Sequence, residues 1–310
     1  MAVGKSGNLD QIPYRIGLDC AGGAVRMTFP LLAEPRSLAI RHRNPALIGQ
    51  HAARALILEV ETWPKPGLVS HIDNGAHADM DADLLRLSAR TLEPFFIALA
   101  EAGAMDAGMD RLRQIGMEAE KAMRDATGGV NTHRGAIFGM GLLAAAAGLA
   151  AACDWRVPLG TLVAWRWGRD IINTAPEHDS HGSVVARRYS VGGARAEAAA
   201  GMPSVYDIAR PALDEGRRLA MGDEEAARVH ACMALIAVVD DSNLLYRAGP
   251  EGLNFARDKA RAFLVDGGVG RANWRWDAKA IHEAFVARNL SPGGCADLLA
   301  MALFTEVMEL

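Results

Sequence analysis

The stretch PKPGLVSHIDNGAHADMD, residues 64–81, puts His71, Asp73, Asn74, His77, Asp79 and Asp81 within eleven positions. Asp83 follows where the next apolar run begins. One acid is enough to complement a helix N-terminus. Asp79, Asp81 and Asp83 beside imidazole and amide groups point further, to a hard cation or to acid–base chemistry. Pro64 and Pro66 push the residues before them out of helix and stiffen the loop. Lys65 is therefore expected on a rigid stem, presented to an anion.

Four other stretches carry similar chemistry. In TGGVNTHRGAIF, residues 127–138, Gly128 and Gly129 allow a tight turn, and Asn131 or Thr132 is placed to cap the helix that follows. The N–H groups of that helix start attract phosphate, and His133 and Arg134 add donors. In VVDDSNLLYR, residues 238–247, Asp240 and Asp241 close an apolar run. A continuing helix would put Asp240, Asn243 and Arg247 on one face, where an aspartate–Arg247 ion pair is the structural alternative to a site. SPGGCADLLAMALF, residues 291–304, starts a helix and interrupts its apolar face with Asp297, and Glu59 sits in similar apolar company in LILEVE. Residues 178–204 hold His178, His181, Arg187, Arg188 and Arg195, and the arginines suit bidentate phosphate contacts.

The elements between these junctions read as helices. Apolar residues recur at three and four positions in 45–63, 81–103, with a bend near Pro94, and 109–129. The pattern continues in the Ala-rich run 135–153 and in five further segments to the C-terminus. Alternating β-branched runs are nearly absent. The expected fold is all-α, a single compact multi-helix domain over 44–310, preceded by a loosely ordered N-terminal extension over 1–43.

The bulk properties set limits. The 310 residues are 50% hydrophobic with a formal charge of -4, enough for a large core and too acidic for a broad nucleic-acid footprint. Cys20, Cys153, Cys232 and Cys295 are far apart, which speaks against a zinc–thiolate site or disulfide framework and for reduced cytoplasmic thiols. No secretory signal pattern is read at the N-terminus. GAIFGMGLLAAAAGLAAAC is long enough to cross a bilayer, but its Ala and Gly favour a buried central helix, and no membrane partner is expected. With neither a Walker motif nor the protein-kinase signatures present, the residues favour phosphate chemistry with a divalent cation, magnesium above all.

Taken together, EVETWPKPGLVSHIDNGAHADMD, GGVNTHRGAIF, HGSVVARRYSVGGARAEAAAGMPSV, DDSNLL with RAGPEGL, and LSPGGCADLLAMALF resemble the triphosphoribosyl-dephospho-CoA synthases, in the same order across about residues 45–305. The resemblance implies an all-helical transferase that joins ATP to 3′-dephospho-CoA and releases adenine. The product is the precursor of the prosthetic group on the acyl-carrier subunit of citrate lyase or malonate decarboxylase. VARRYSVGGARAEA and IHEAFVARNLSPGGCADLLA are closer to the malonate decarboxylase branch. The chain departs from the family pattern at Ser70-His71, at Asp241-Ser242 and at Cys295.

Such a reaction explains the residue types. Breaking the ribose–adenine bond builds oxocarbenium-like charge of the kind carboxylates stabilise, and the acceptor hydroxyl needs a base. The resemblance implies Asp79, Asp81 and Asp240 for catalysis, and the same three with Asp297 and Glu59 for magnesium. It implies Lys65, His133, Arg134 and Arg187 for the phosphates. Gly67, Asn74, His77, Gly129, Asn131, His181, Arg195 and Asn243 complete the expected substrate contacts, and a homodimer is compatible with the sequence. Two other readings compete: a metal-dependent phosphohydrolase, to which His178-Asp179 with a distant Asp240 or Asp241 is faintly similar, and a non-catalytic nucleotide- or CoA-binding partner of a decarboxylase.

Overall fold

The computed structural model describes residues 44–174, 185, 188–189 and 192–309. The expected N-terminal extension, and with it Cys20, lies outside the described residues, as do His178, Asp179, His181 and Arg187. Among the described residues every regular element is helical, as the apolar spacing predicts. The helices are α1 (Pro45–Val60), α2 (Ala82–Ala104), α3 (Met109–Ala126), α4 (Arg134–Cys153), α5 (Leu159–Asn173), α6 (Gly193–Ala199), α7 (Arg210–Leu219), α8 (Glu224–Val238), α9 (Ser242–Val265), α10 (Trp274–Val286) and α11 (Gly293–Met308).

Helix starts follow local chemistry. Asn44 accepts from Ala46 N at 2.9 Å with Pro45 in the first turn of α1, and Asp81 caps α2 through Leu84 N at 2.9 Å. α3 runs out at Gly128 and Gly129, whose φ angles are 65° and 92°. Pro94 lies inside a continuous α2.

The Ala-rich α4 is the centre of the packing. A Cβ on Gly148 would overlap the Ala100 carbonyl of α2, and one on Gly103 of α2 would overlap the Ala145 carbonyl of α4. Small residues thus bring the two backbones together. By length and hydropathy α4 would cross a membrane, but 78% of its apolar stretch is buried inside the protein, in line with the expected central helix.

One junction differs from the expected continuation. α8 ends at Val238, and the chain turns through 59° before α9 starts at Ser242. Asp240, Asn243 and Arg247 therefore do not share a helix face. α9 itself kinks at Gly249 (φ 63°, ψ -163°), followed by Pro250, a residue that cannot continue a regular ladder.

Candidate active site

The loop between α1 and α2 is latched onto the C-terminal helices. Gly67 has a φ of 67°, and a Cβ there would overlap the Leu290 carbonyl. Buried His282 of α10 faces Lys65 O at 2.6 Å through Nδ1 and Asp73 Oδ1 at 3.1 Å through Nε2. Arg247 of α9 donates to Ala76 O at 3.0 Å, and His77 Nε2 lies 2.8 Å from Ser291 Oγ. Within the loop, Asp73 Oδ1 accepts from Gly75 N at 2.9 Å.

Lys65 is not presented to solvent. It is fully buried, and its Nζ bonds the Glu59 carboxylate and, at 2.6 Å, the Glu59 carbonyl. A carboxylate in apolar company needs a counter-charge, and the loop folds back to supply one. The loop acids take different partners. Asp81 is committed to its cap, Asp83 is exposed and pairs with Arg86 at 2.7 Å, and Asp79 is 62% exposed, 3.5 Å from His77 Nδ1. These acids and exposed Asn74 line an open groove of about 440 Å³.

A second group of acids lies inside. Asp241, 1% exposed, caps α9 by accepting from Asn243 N (2.8 Å) and Leu244 N (3.1 Å) through Oδ1. Its Oδ2 accepts from Cys295 N of α11 at 2.9 Å, so one carboxylate joins two helix N-termini. Burial raises its proton affinity above the ordinary aspartate value, against the hydrogen bonds that lower it. Asp297, half-buried, accepts from Ala136 N in the first turn of α4, and a Cβ on Gly135 would overlap its Oδ2. Burial first, then the charges of Glu59 and Asp241, push its carboxyl well above the ordinary range. Glu59, Asp241 and Asp297 thus form one electrostatically coupled set with Lys65 at its edge. Asn243 joins them, packed on Gly293 at the start of α11.

The start of α4 supplies the remaining wall. Asn131 is exposed and accepts from Arg134 N at 3.3 Å, and Arg134, half-exposed, approaches Glu120 at 3.3 Å. Gly129 has open space around it. His133 is buried with Nδ1 2.7 Å from Ser88 Oγ, which also accepts from Thr132 Oγ1 at 2.7 Å. Burial, then the Lys65 charge, lowers its pKa to about 4. A histidine that refuses its proton when folded contributes stability that is present above its unfolded value of 6.5 and is lost as pH falls toward 4. Over that window the loss is about 3 kcal/mol. Denaturant unfolding of the native chain and of His133→Gln at several pH values should show that excess slope only in the native chain.

Two expected site residues sit elsewhere. Asp240 is exposed and pairs with Arg257 at 2.8 Å, because the break after Val238 turns it outward and turns Asp241 inward. No ion pair links either aspartate to Arg247. Arg195 donates to the Ile171, Ile172 and Thr174 carbonyls and so ends α5, leaving its fork committed to the backbone. Sequence reasoning passed over His282, Ser291 and Ser88. For Asp241 there was a signal, since an acid followed by Ser-Asn-Leu-Leu reads as a helix cap.

Among the described residues no three His, Cys, Asp or Glu side chains converge on a metal position. Glu59 is held by Lys65, Asp241 by three backbone N–H groups, Asp81 by its helix and Asp240 by Arg257. Of the five acids expected for magnesium, Glu59, Asp81 and Asp240 are thus engaged with other partners, whereas Asp79 stays exposed beside His77 and Asp297 is half-exposed at the start of α4.

Comparison with known proteins agrees with the motifs. Residues 45–310 match the family model described as ATP:dephospho-CoA triphosphoribosyl transferase (CitG). A Pseudomonas paraeruginosa protein called probable 2-(5''-triphosphoribosyl)-3'-dephosphocoenzyme-A synthase is 44% identical over 263 residues, 82% of this chain and 88% of its own length. Proteins of the same name from Pseudomonas putida (40% over 282 residues, 88% and 97%) and Acinetobacter calcoaceticus (35% over 273 residues, 84% and 93%) are also similar. No solved structure matches significantly. The chain, a transferase, belongs to the ATP:dephospho-CoA triphosphoribosyl transferase family.

Proposed function

We propose that the chain attaches C1′ of the ATP ribose to the 2′-hydroxyl of 3′-dephospho-CoA and releases adenine, giving 2-(5''-triphosphoribosyl)-3'-dephosphocoenzyme A. The observation that carries the site assignment is Asp297. Of the three coupled inner acids it alone is half-exposed, and its carboxylate lies against the first turn of α4. A carboxylate whose proton affinity is raised above the ordinary aspartate range suits a general base. In this reading the bond from C1′ to adenine N9 breaks as the bond from C1′ to the acceptor oxygen forms. The hydroxyl proton passes to Asp297, and the purine takes up a proton as it leaves. The carboxylates of Glu59 and Asp241 favour the positive charge that develops on the sugar.

Arg134 and the N–H groups around Asn131, at the start of α4, are the phosphate contacts favoured here. Magnesium enters this reading as the ion that ATP brings with its phosphates, which needs few protein ligands. The product serves the prosthetic group of a malonate decarboxylase carrier subunit. The wording of residues 185–198 and 281–300 supports that pathway over citrate lyase. Mass analysis of the product of ATP and dephospho-CoA, with adenine quantified, tests the reaction. Free phosphate or pyrophosphate in place of adenine would refute it and favour the hydrolase.

A further inference from the structure

Three glycines at helix starts each face one polar side chain. A Cβ on Gly135, in the first turn of α4, would overlap Asp297 Oδ2. One on Gly294 of α11 would lie 3.0 Å from Asp241 Oδ2, and one on Gly293 would lie 2.5 Å from Asn243 Nδ2. A side chain at any of the three would press on the group opposite. Bare backbone thus lets two carboxylates and one amide approach closely. The paired glycines of the SPGGCADLL stretch have a local reason here.

The three side chains differ in what they have left to offer. Asp241 is buried, and its oxygens already accept from Asn243 N, Leu244 N and Cys295 N. Asp297 and Asn243 are both half-exposed. Among the described residues the Asn243 amide has no hydrogen-bond partner. Helix geometry brings this free amide and Asp297 together. Gly293 and Asp297 are four positions apart on α11 and share one face, with about 5–6 Å between their Cβ positions. A helical side chain leans toward the N-terminus, which tips Asp297 toward Gly293 and the amide that covers it.

We propose that Asn243 recognises the 3′-hydroxyl of the acceptor ribose and is a specificity-determining residue for that substrate. The inference rests on the ribosyl transfer proposed above, in which Asp297 takes the proton of the acceptor 2′-hydroxyl. On a ribose the 3′-hydroxyl is the neighbour of the 2′-hydroxyl, on the same side of the ring. A carboxylate for the first and a free amide one helical turn away match that pair. An amide donates and accepts, as a hydroxyl does, so the contact satisfies both groups. A phosphate at the 3′-position would bring a dianion beside Asp297 and Asp241, which repel it. Selection of a free 3′-hydroxyl thus has an attractive part, the amide, and a repulsive part, the acids.

The alternative is that the amide only packs on Gly293. Packing would affect every acceptor alike, whereas recognition of the 3′-hydroxyl cannot help an acceptor that lacks it. Adenine release would be followed with ATP and either dephospho-CoA or its 3′-deoxy analogue, for the native chain and for Asn243→Ala. With dephospho-CoA, kcat/KM should fall about 10-fold in Asn243→Ala, with KM for ATP within threefold of native. The native chain should favour dephospho-CoA over the 3′-deoxy analogue by about 10-fold, and in Asn243→Ala the two acceptors should differ by less than about threefold. A variant that kept the native preference would overturn the assignment and leave the packing role. So would a native chain that used both acceptors equally, a result that does not depend on the variant folding. Native chain that released no adenine from either acceptor would refute the ribosyl-transfer reading, and the assignment with it.

Discussion

Asp297→Asn should lower adenine release by about 100- to 1,000-fold while leaving the fold intact. The substitution conserves shape. An asparagine oxygen still accepts from Ala136 N, and the amide occupies the space above Gly135 that the absent Cβ leaves open. What disappears is the proton acceptor and one negative charge. The loss of charge relieves repulsion from Glu59 and Asp241, so the variant should unfold at the same or a higher temperature than the native chain. A falling rate with rising stability is the mark of an active-site group held in place at the expense of the fold. Asp240→Asn is the matched control. Its side chain is exposed on Arg257, and its turnover should stay within threefold of native. Equal losses in the two variants would remove Asp297 from the base position.

The sequence made the helical class legible because that rests on spacing. Apolar residues three and four apart mark each helix whatever its neighbours, and the uncharged run 135–153 could only be a core helix or a span. The junctions were harder, because their meaning depends on direction. Asp240 and Asp241 are adjacent, and a single break after Val238 decides which is outside on Arg257 and which is inside on Cys295 N. Apolar periodicity does not encode that break. Lys65 was misjudged for a related reason. Two prolines do stiffen its loop, but the loop closes inward because His282, 217 positions later, and Leu290 fasten it. A partner at that separation leaves no trace in local composition. The acids that spacing grouped at 79–83 line one open surface groove, whereas Glu59, Asp241 and Asp297, scattered along the chain, are coupled inside the fold.

Lys65→Met should destabilise the protein by about 3–5 kcal/mol, the largest stability effect expected of a single change in this region. The methionine fills the space of the aliphatic stem, so packing is nearly conserved and the loss is electrostatic. Without the ammonium group, the Glu59 carboxylate stays buried at the end of α1 with no counter-charge, coupled to Asp297. The carbonyl of Glu59 loses its donor as well. Removing both charges tests the cause. Lys65→Met with Glu59→Gln should recover most of the lost stability, because replacing a whole buried pair costs far less than orphaning one member. Urea unfolding of the four species gives the coupling directly. A double variant as unstable as Lys65→Met alone would mean that the loop, held by the Lys65 backbone to His282, depends on the lysine for packing and not for charge. Activity separates the two roles again. If Glu59 assists the developing sugar cation, the double variant should fold and still turn over slowly. If Glu59 only anchors Lys65, recovery of stability should bring turnover back with it.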